Sequence, residues 1–317
     1  MFAIETRGLT RRYGQFMAVD DLNLQVPTGA LFGLIGPNGA GKTTTLRMLA
    51  GLLEPSGGEI LLNGQTAQAD GKTFRQQIGY MPDFFGVYED MLVWEYLDFF
   101  ARCHSVPANR RRQITGELLD LVDLADKRDE YVESLSRGMR QRLCLAHALV
   151  HDPQILLLDE PASGLDPRAR VEMRELLREL GAMGKTVVVS SHILAELAEM
   201  CDQVGIIQQG KLAASGPVSE IARRASAGRL LQITTLADWA TIEGALITQP
   251  GIGRITEMVE RNDQSDHPRL RIEAEFTGDD PAVANLLSAL VSANIPILAF
   301  SETAGDLEEI FLQLTEP

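Results

Sequence analysis

No stretch of this sequence approaches the roughly 20 consecutive apolar residues that a membrane-spanning helix needs. Cysteine is scarce: Cys103, Cys144 and Cys201 are scattered, with no CxxC pair. A disulfide framework and a structural zinc site are therefore excluded as organising principles, and reduced thiols are expected. Basic residues are in deficit, 29 Lys and Arg against 44 Asp and Glu, for a net charge of −15. Proteins that bind nucleic acid carry a basic footprint, so no nucleic-acid partner is expected. The N-terminal MFAIETRGLTRRYG lacks the apolar stretch of a secretory signal. A cytoplasmic protein is expected, reaching a membrane only if a partner holds it there.

What is present is an ordinary globular composition, 45% hydrophobic and 23% charged over 317 residues, enough for two domains or for one large domain with an appendage. The acid is uneven. Residues 226–317 hold 5 Arg, no Lys and 15 acidic residues, a net of −10, whereas residues 1–225 carry a net of −5. This break places an expected boundary near 225, with a first domain over 1–225 and a second over 226–317.

The first domain carries a phosphate-binding loop. The apolar run Ala30–Ile35 reads as a strand. It is followed by Gly36, Pro37, Asn38, Gly39, Ala40, Gly41, Lys42, Thr43 and Thr44, and then by a helical stretch. Strand, G-x-x-x-x-G-K-T and helix are the context in which glycines let successive amides point at phosphate oxygens. Lys42 brings positive charge to the outer phosphates, and the Thr43 hydroxyl is a candidate Mg²⁺ ligand. A phosphate-bearing ligand and Mg²⁺ are expected here.

The second half of such a site is Ile155–Glu160, ILLLDE. Four apolar residues in a row suit a strand buried on both faces of a parallel sheet, and the acids fall at its carboxyl end, where such sheets bind ligands. Asp159 is expected to hold Mg²⁺ and Glu160 to act as general base on the attacking water. A third apolar run, Val187–Ser191, ends in His192, read as a γ-phosphate sensor beside this pair.

A second anion site is written into SLSRGMRQ, residues 134–141, where Ser136 and Gly138 open the helical RQRLCLAHALV. Helix starts present unpaired amides and a favourable dipole to an anion. One phosphate loop already wraps its own nucleotide, so this site needs a phosphate from elsewhere. A two-fold dimer supplies it reciprocally.

In this order the motifs resemble those of ATP-binding subunits of ABC transporters. The resemblance spans residues 1–216: RRYG puts Tyr13 where the family stacks an aromatic on adenine, GPNGAGKTT matches its phosphate loop, ILLLDEP its magnesium and base motif, SGLD its D-loop and SSH its switch histidine. LSRGMRQ resembles the family's LSGGQ signature, which clamps the γ-phosphate held by a second subunit. The resemblance implies an α/β P-loop cassette with a mixed core sheet and a helical subdomain at about 84–150. It also implies a head-to-tail homodimer and nucleotide contacts from Ser136, Gly138, Met139 and Asp166. An integral-membrane permease on another chain would be driven by ATP hydrolysis, with the subunit held on the cytoplasmic face of the membrane.

Two departures stand out. Arg137 replaces the usual Gly of the signature and adds a positive charge near phosphate, and Met139 stands where a Gln is common. Asp83 follows IGYMP where the family has a Gln facing Mg²⁺ and the attacking water; it is shorter and anionic, and is expected to act in catalysis and metal binding. Beyond it, Phe84 and Phe85 are candidates to touch a partner, whereas Trp94, Tyr96, Phe99 and Phe100, at roughly helical spacing, read as packing of the subdomain. Arg110–Arg112 reads as a solvated face.

Residues 226–317 carry no nucleotide motif. Their pattern is strand, helix, strand, a polar loop RNDQSDH, strand, helix and strand, a smaller α+β domain of ferredoxin-like order. A last helix is expected over Leu307–Leu312. The ending DLEEIFLQLT resembles that of subunits from the ABC-2 branch, which serve drug, sodium or polysaccharide exporters. Two alternatives stand beside this reading: a soluble ABC ATPase acting on a macromolecular complex, and a module that binds ATP without hydrolysing it. The single motif set and the 117-position separation of Lys42 and Asp159 oppose the first; Glu160 and His192 oppose the second.

Overall fold

A computed structural model of the chain describes residues 1–66, 71–83, 86, 88, 90–193, 196–197, 199–225, 229–258 and 269–303. Phe84, Phe85, the RNDQSDH loop and the segment Leu307–Leu312 lie outside the described residues. The chain divides into two compact units, Met1–Val218 and Ser219–Pro317. The division falls seven residues before the charge break at 225. Among the described residues, no helix is long and apolar enough to cross a membrane.

In the first unit, strands β1 (Phe2–Tyr13), β2 (Phe16–Leu22), β3 (Gln25–Pro27), β5 (Gly57–Leu62) and β6 (Gln65–Thr66) form an antiparallel sheet in the order β2-β1-β5-β6, with β3 on β1. A second sheet carries β4 (Leu31–Ile35), β7 (Ile78–Met81), β8 (Ile155–Asp159), β9 (Thr186–Ser191), β10 (Gln203–Gln208) and β11 (Lys211–Pro217) in the order β11-β10-β4-β9-β8-β7. Its strands are parallel except β11, so the sheet is mixed. All five residues of β4 and of β8 are buried, as strands covered on both faces require. Leu34, Leu46, Leu62, Leu157, Val188 and Ile207 share one core between the two sheets and the first helix.

Helices α1 (Lys42–Leu49), α2 (Gly71–Gln76), α3 (Val93–Cys103), α4 (Ala108–Leu121), α5 (Arg137–Leu149) and α6 (Pro167–Ala182) follow in chain order. Helices α3, α4 and α5 form the helical subdomain, with Tyr96, Leu97, Leu119, Leu143 and Leu145 buried. Tyr96 and Phe100 pack edge to face at 4.9 Å, and the Phe100 ring stacks on His147 at 3.6 Å, so these aromatics are core. Arg111 is anchored to Asp98 at 3.0 Å, while Arg110 and Arg112 are exposed.

Helix α7 (Val218–Ala225) crosses the division. The second unit continues with β12 (Arg229–Thr235), α8 (Trp239–Ile247), β13 (Ile252–Met258), β14 (Leu270–Phe276), α9 (Asp280–Ser292) and β15 (Ile297–Thr303). The sheet order is β13-β14-β12-β15, antiparallel throughout. Each strand–helix–strand unit thus brackets a strand of the other, the split-βαβ arrangement. Asp238 and Asp279 cap the two helices through the amides of Thr241 and Ala282. Ile233, Ile242, Leu246, Ile272 and Leu290 form its core.

Candidate active site

Three adjacent strands, β4, β9 and β8, bring their carboxyl ends to one edge of the mixed sheet. The loop 36–41 leaves β4, His192 leaves β9 and Glu160 leaves β8. Gly41 has φ 108, and a Cβ there would lie 2.5 Å from the Ala18 carbonyl oxygen, so both the backbone conformation and the space demand glycine. The Lys42 side chain is buried, and its ammonium donates to the carbonyls of Gly36 at 2.6 Å and Pro37 at 3.3 Å. It also lies 3.4 Å from Glu160 Oε1. The other Glu160 oxygen lies 2.9 Å from His192 Nδ1. Glu160 therefore sits between the Lys42 ammonium and the His192 imidazole.

The backbone at Glu160 is left-handed, φ 50, a conformation that costs of order 1–3 kcal/mol for a non-glycine residue and persists only when its surroundings impose it. The neighbouring strand imposes it here. Register places Ser190 beside Asp159. The Glu160 amide donates to Ser190 Oγ at 3.0 Å, and Ser190 Oγ donates to Asp159 Oδ1 at 2.7 Å. Thr43 Oγ1 donates to the same Asp159 oxygen at 3.1 Å.

Asp159 is 1% exposed, and its Oδ2 is buried with no hydrogen-bond partner among the described residues. Burial pushes its carboxyl above the ordinary range. The bonds from Ser190 and Thr43 oppose this, and the charges of Asp83 and Glu160 add to it. An unpartnered buried carboxylate oxygen beside a threonine hydroxyl fits a hard divalent cation. Among the described residues no group of three or more His, Cys, Asp or Glu could hold a metal ion by itself. A cation here would complete its shell from phosphate oxygens and water.

A cavity of about 400 Å³ opens over these groups. Tyr13, Pro37, Asn38, Gly39, Gly41, Lys42, Thr43, Thr44, Asp83, Glu160 and His192 line it. Gly36 contributes its carbonyl from below, and Ala40 is buried beneath the loop, its carbonyl accepting from the Gly210 amide at 2.9 Å. The Arg11 guanidinium covers one face of the Tyr13 ring, 4.7 Å from its centroid, a cation–π contact.

Comparison with known proteins identifies the family. The family model for the ABC transporter matches residues 19–163. The chain is 35% identical to Nod factor export ATP-binding protein I of Ralstonia nicotianae, over 98% of this chain and 93% of that protein. The chain belongs to the ATP-binding subunits of ABC transporters. It is 34% identical to the daunorubicin/doxorubicin resistance ATP-binding protein DrrA of Streptomyces peucetius, over 99% of this chain and 92% of that one. Among solved structures, the dimeric bacterial ABC transporter cassette MJ0796 superposes with a TM-score of 0.62 at 25% identity, over 68% of this chain and 98% of its own. This ABC subunit binds ATP and hydrolyses it to ADP and phosphate.

Besides Gly36 and Ala40, four expected nucleotide contacts do not line the cavity. Ser136, Gly138 and Met139 sit at the start of α5, and Asp166 sits at the start of α6. Ser136 Oγ accepts from the Met139 amide at 3.3 Å, and Asp166 Oδ1 from the Ala169 amide at 2.9 Å, so both cap their helices. Sequence reasoning missed three residues that the fold brings to the site: Phe16 and Ala18 line the cavity, as does Ser163 of the SGLD motif, and Ser190 bonds Asp159. Phe16 is opposite Tyr13 across the β1–β2 hairpin. Its signal in the sequence was an aromatic just past the RRYG turn.

Proposed function

We propose that this ABC ATPase powers a separate integral-membrane permease of the exporter type, from the cytoplasmic face of the membrane. The observation that carries the catalytic part is Glu160 held between Lys42 and His192 at the rim of the phosphate loop. Glu160 would take the proton of the attacking water, and His192 would fix the carboxylate and read the γ-phosphate. Lys42 would turn from the loop carbonyls to the outer phosphates. Tyr13, stiffened by Arg11, and Phe16 would receive the adenine. Thr43, Asp159 and Asp83 would hold Mg²⁺, which would neutralise charge developing on the phosphate oxygens. The export assignment is supported by relatives named for Nod factor export and for daunorubicin/doxorubicin resistance, matched along nearly their whole length.

The working form we infer is a head-to-tail homodimer. Ser136 and Gly138 open a helix whose start does not line the nucleotide cavity, and a solved relative of this fold is dimeric. Hydrogen bonds to a charged group contribute roughly 1.5–3 kcal/mol each, so a few per site make closure depend on the γ-phosphate. ADP would release it.

The test is phosphate release by the full-length chain, alone and with membranes carrying the permease that co-purifies with it, together with Glu160→Gln. The substitution should lower turnover by roughly 10²–10⁴ and trap an ATP-loaded dimer. Normal hydrolysis by Glu160→Gln would remove the base assignment. Activity indifferent to every co-purifying membrane protein would remove the transport role.

A further inference from the structure

The Arg137 side chain is turned toward its own chain, not left at the mouth of the helix as a free positive charge. Its Nη2 donates to the Ser163 carbonyl at 3.1 Å, across 26 residues of sequence. The guanidinium lies over Gly164, where an ideal Cβ would come within 2.5 Å of Arg137 Cζ. Gly164 also has φ +66, so glycine supplies both the turn and the room. The next residue continues the contact: a Cβ on Gly138 would lie 3.1 Å from the Ala169 Cβ. The first turns of α5 and α6 therefore nest together, and the loop 163–165 between Glu160 and α6 is held against the signature. From Ser163 the path is short, because its amide donates to the Glu160 carbonyl at 3.0 Å.

We propose that Arg137 is a positioning residue that ties the signature to the Glu160 turn. Through it, engagement of Ser136 and Gly138 with the γ-phosphate held by a second copy sets the base at this chain's own nucleotide. The cross-site half of this rests on the head-to-tail reading above. The signature and the general base serve different nucleotides in that dimer, so the Arg137–Ser163 bond is a physical link between the two sites, with a defined donor and acceptor. Arginine suits the task, since its planar fork donates to a carbonyl while its face packs on backbone.

The test uses the full-length chain with Arg137→Ala, Arg137→Lys, Gly164→Ala and the Arg137→Ala/Gly164→Ala pair. It follows kcat, KM and the Hill coefficient for ATP. Arg137→Ala should lower kcat by about three- to tenfold, the worth of one hydrogen bond, with KM unchanged and the Hill coefficient falling to about one. Arg137→Lys, which keeps a charged donor, should recover part of the loss. Gly164→Ala displaces the guanidinium, so it should reproduce the loss, and the pair should be no worse than either alone. Wild-type kcat and Hill coefficient in Arg137→Ala would overturn the proposal, as would losses that add in the pair. The head-to-tail reading fails separately, if Glu160→Gln forms no dimer with ATP. That result overturns the cross-site half, and the kcat loss and its non-additivity still decide whether Arg137 acts on Glu160.

Discussion

Ser190 Oγ donates to Asp159 Oδ1 at 2.7 Å and accepts from the Glu160 amide at 3.0 Å, so one buried hydroxyl serves both acids of the site. It occupies one oxygen of Asp159 and leaves Oδ2 without a hydrogen-bond partner among the described residues. It also ties down the left-handed backbone that aims Glu160 at Lys42 and His192.

Ser190→Ala should therefore weaken metal use as well as the fold. Removing a hydrogen bond to a buried carboxylate costs about 1–3 kcal/mol. The Mg²⁺ concentration for half-maximal ATPase should rise about tenfold, and the denaturation midpoint should drop. A variant with native Mg²⁺ dependence would show that Thr43 alone orients Asp159.

Lys42→Ala removes the ammonium that the Gly36 and Pro37 carbonyls and Glu160 now hold. Loss of a charged donor to the outer phosphates should weaken ATP binding about 10- to 100-fold, with a smaller effect on AMP. Equilibrium binding of a fluorescent ATP analogue measures this. Unchanged affinity would refute the role given to the loop lysine.

Asp83 brings a third carboxylate to a site that already holds Asp159 and Glu160. Asp83→Gln should tighten ATP binding in the presence of EDTA, because a like charge facing the phosphates is gone; about 1 kcal/mol, or several-fold, is the scale for a partly solvated pair. It should also raise the Mg²⁺ requirement, since a candidate ligand is lost. If neither moves, Asp83 lines the cavity without acting there.

Acid stability turns on the helical subdomain. Burial holds His147 and His151 down to about 4, from an ordinary 6.5, with the neighbouring His104 adding to the effect. A neutral imidazole in the fold and a protonatable one in the unfolded chain mean that the unfolded state binds more protons between these values. Stability is then full above about pH 6.5 and is lost as pH falls toward 4, by roughly 3 kcal/mol for His147 and less for the more accessible His151. Melting temperatures between pH 7.5 and 4.5 should show this slope, and His147→Leu should flatten it. An equal slope in the variant would place the acid sensitivity elsewhere.

Those parts of the protein whose chemistry is contiguous can be read from the amino-acid order alone. The phosphate loop, the acids after ILLL and the histidine after VVVSS were legible because each is a strand end followed by the residues that strand end must present. The second domain's strand–helix pattern was legible for the same reason: its apolar periodicity is local. Tertiary structure alone decided which of these meet. Ser190 serves Asp159 because β9 lies beside β8 in register, and Phe16 joins Tyr13 because a hairpin folds back. Arg137, read as a charge near phosphate, turns to Ser163 because two helix starts nest where Gly138 and Gly164 leave space. Such contacts join residues tens of positions apart, and strand order and close packing, which no local pattern encodes, choose among the partners a side chain could have.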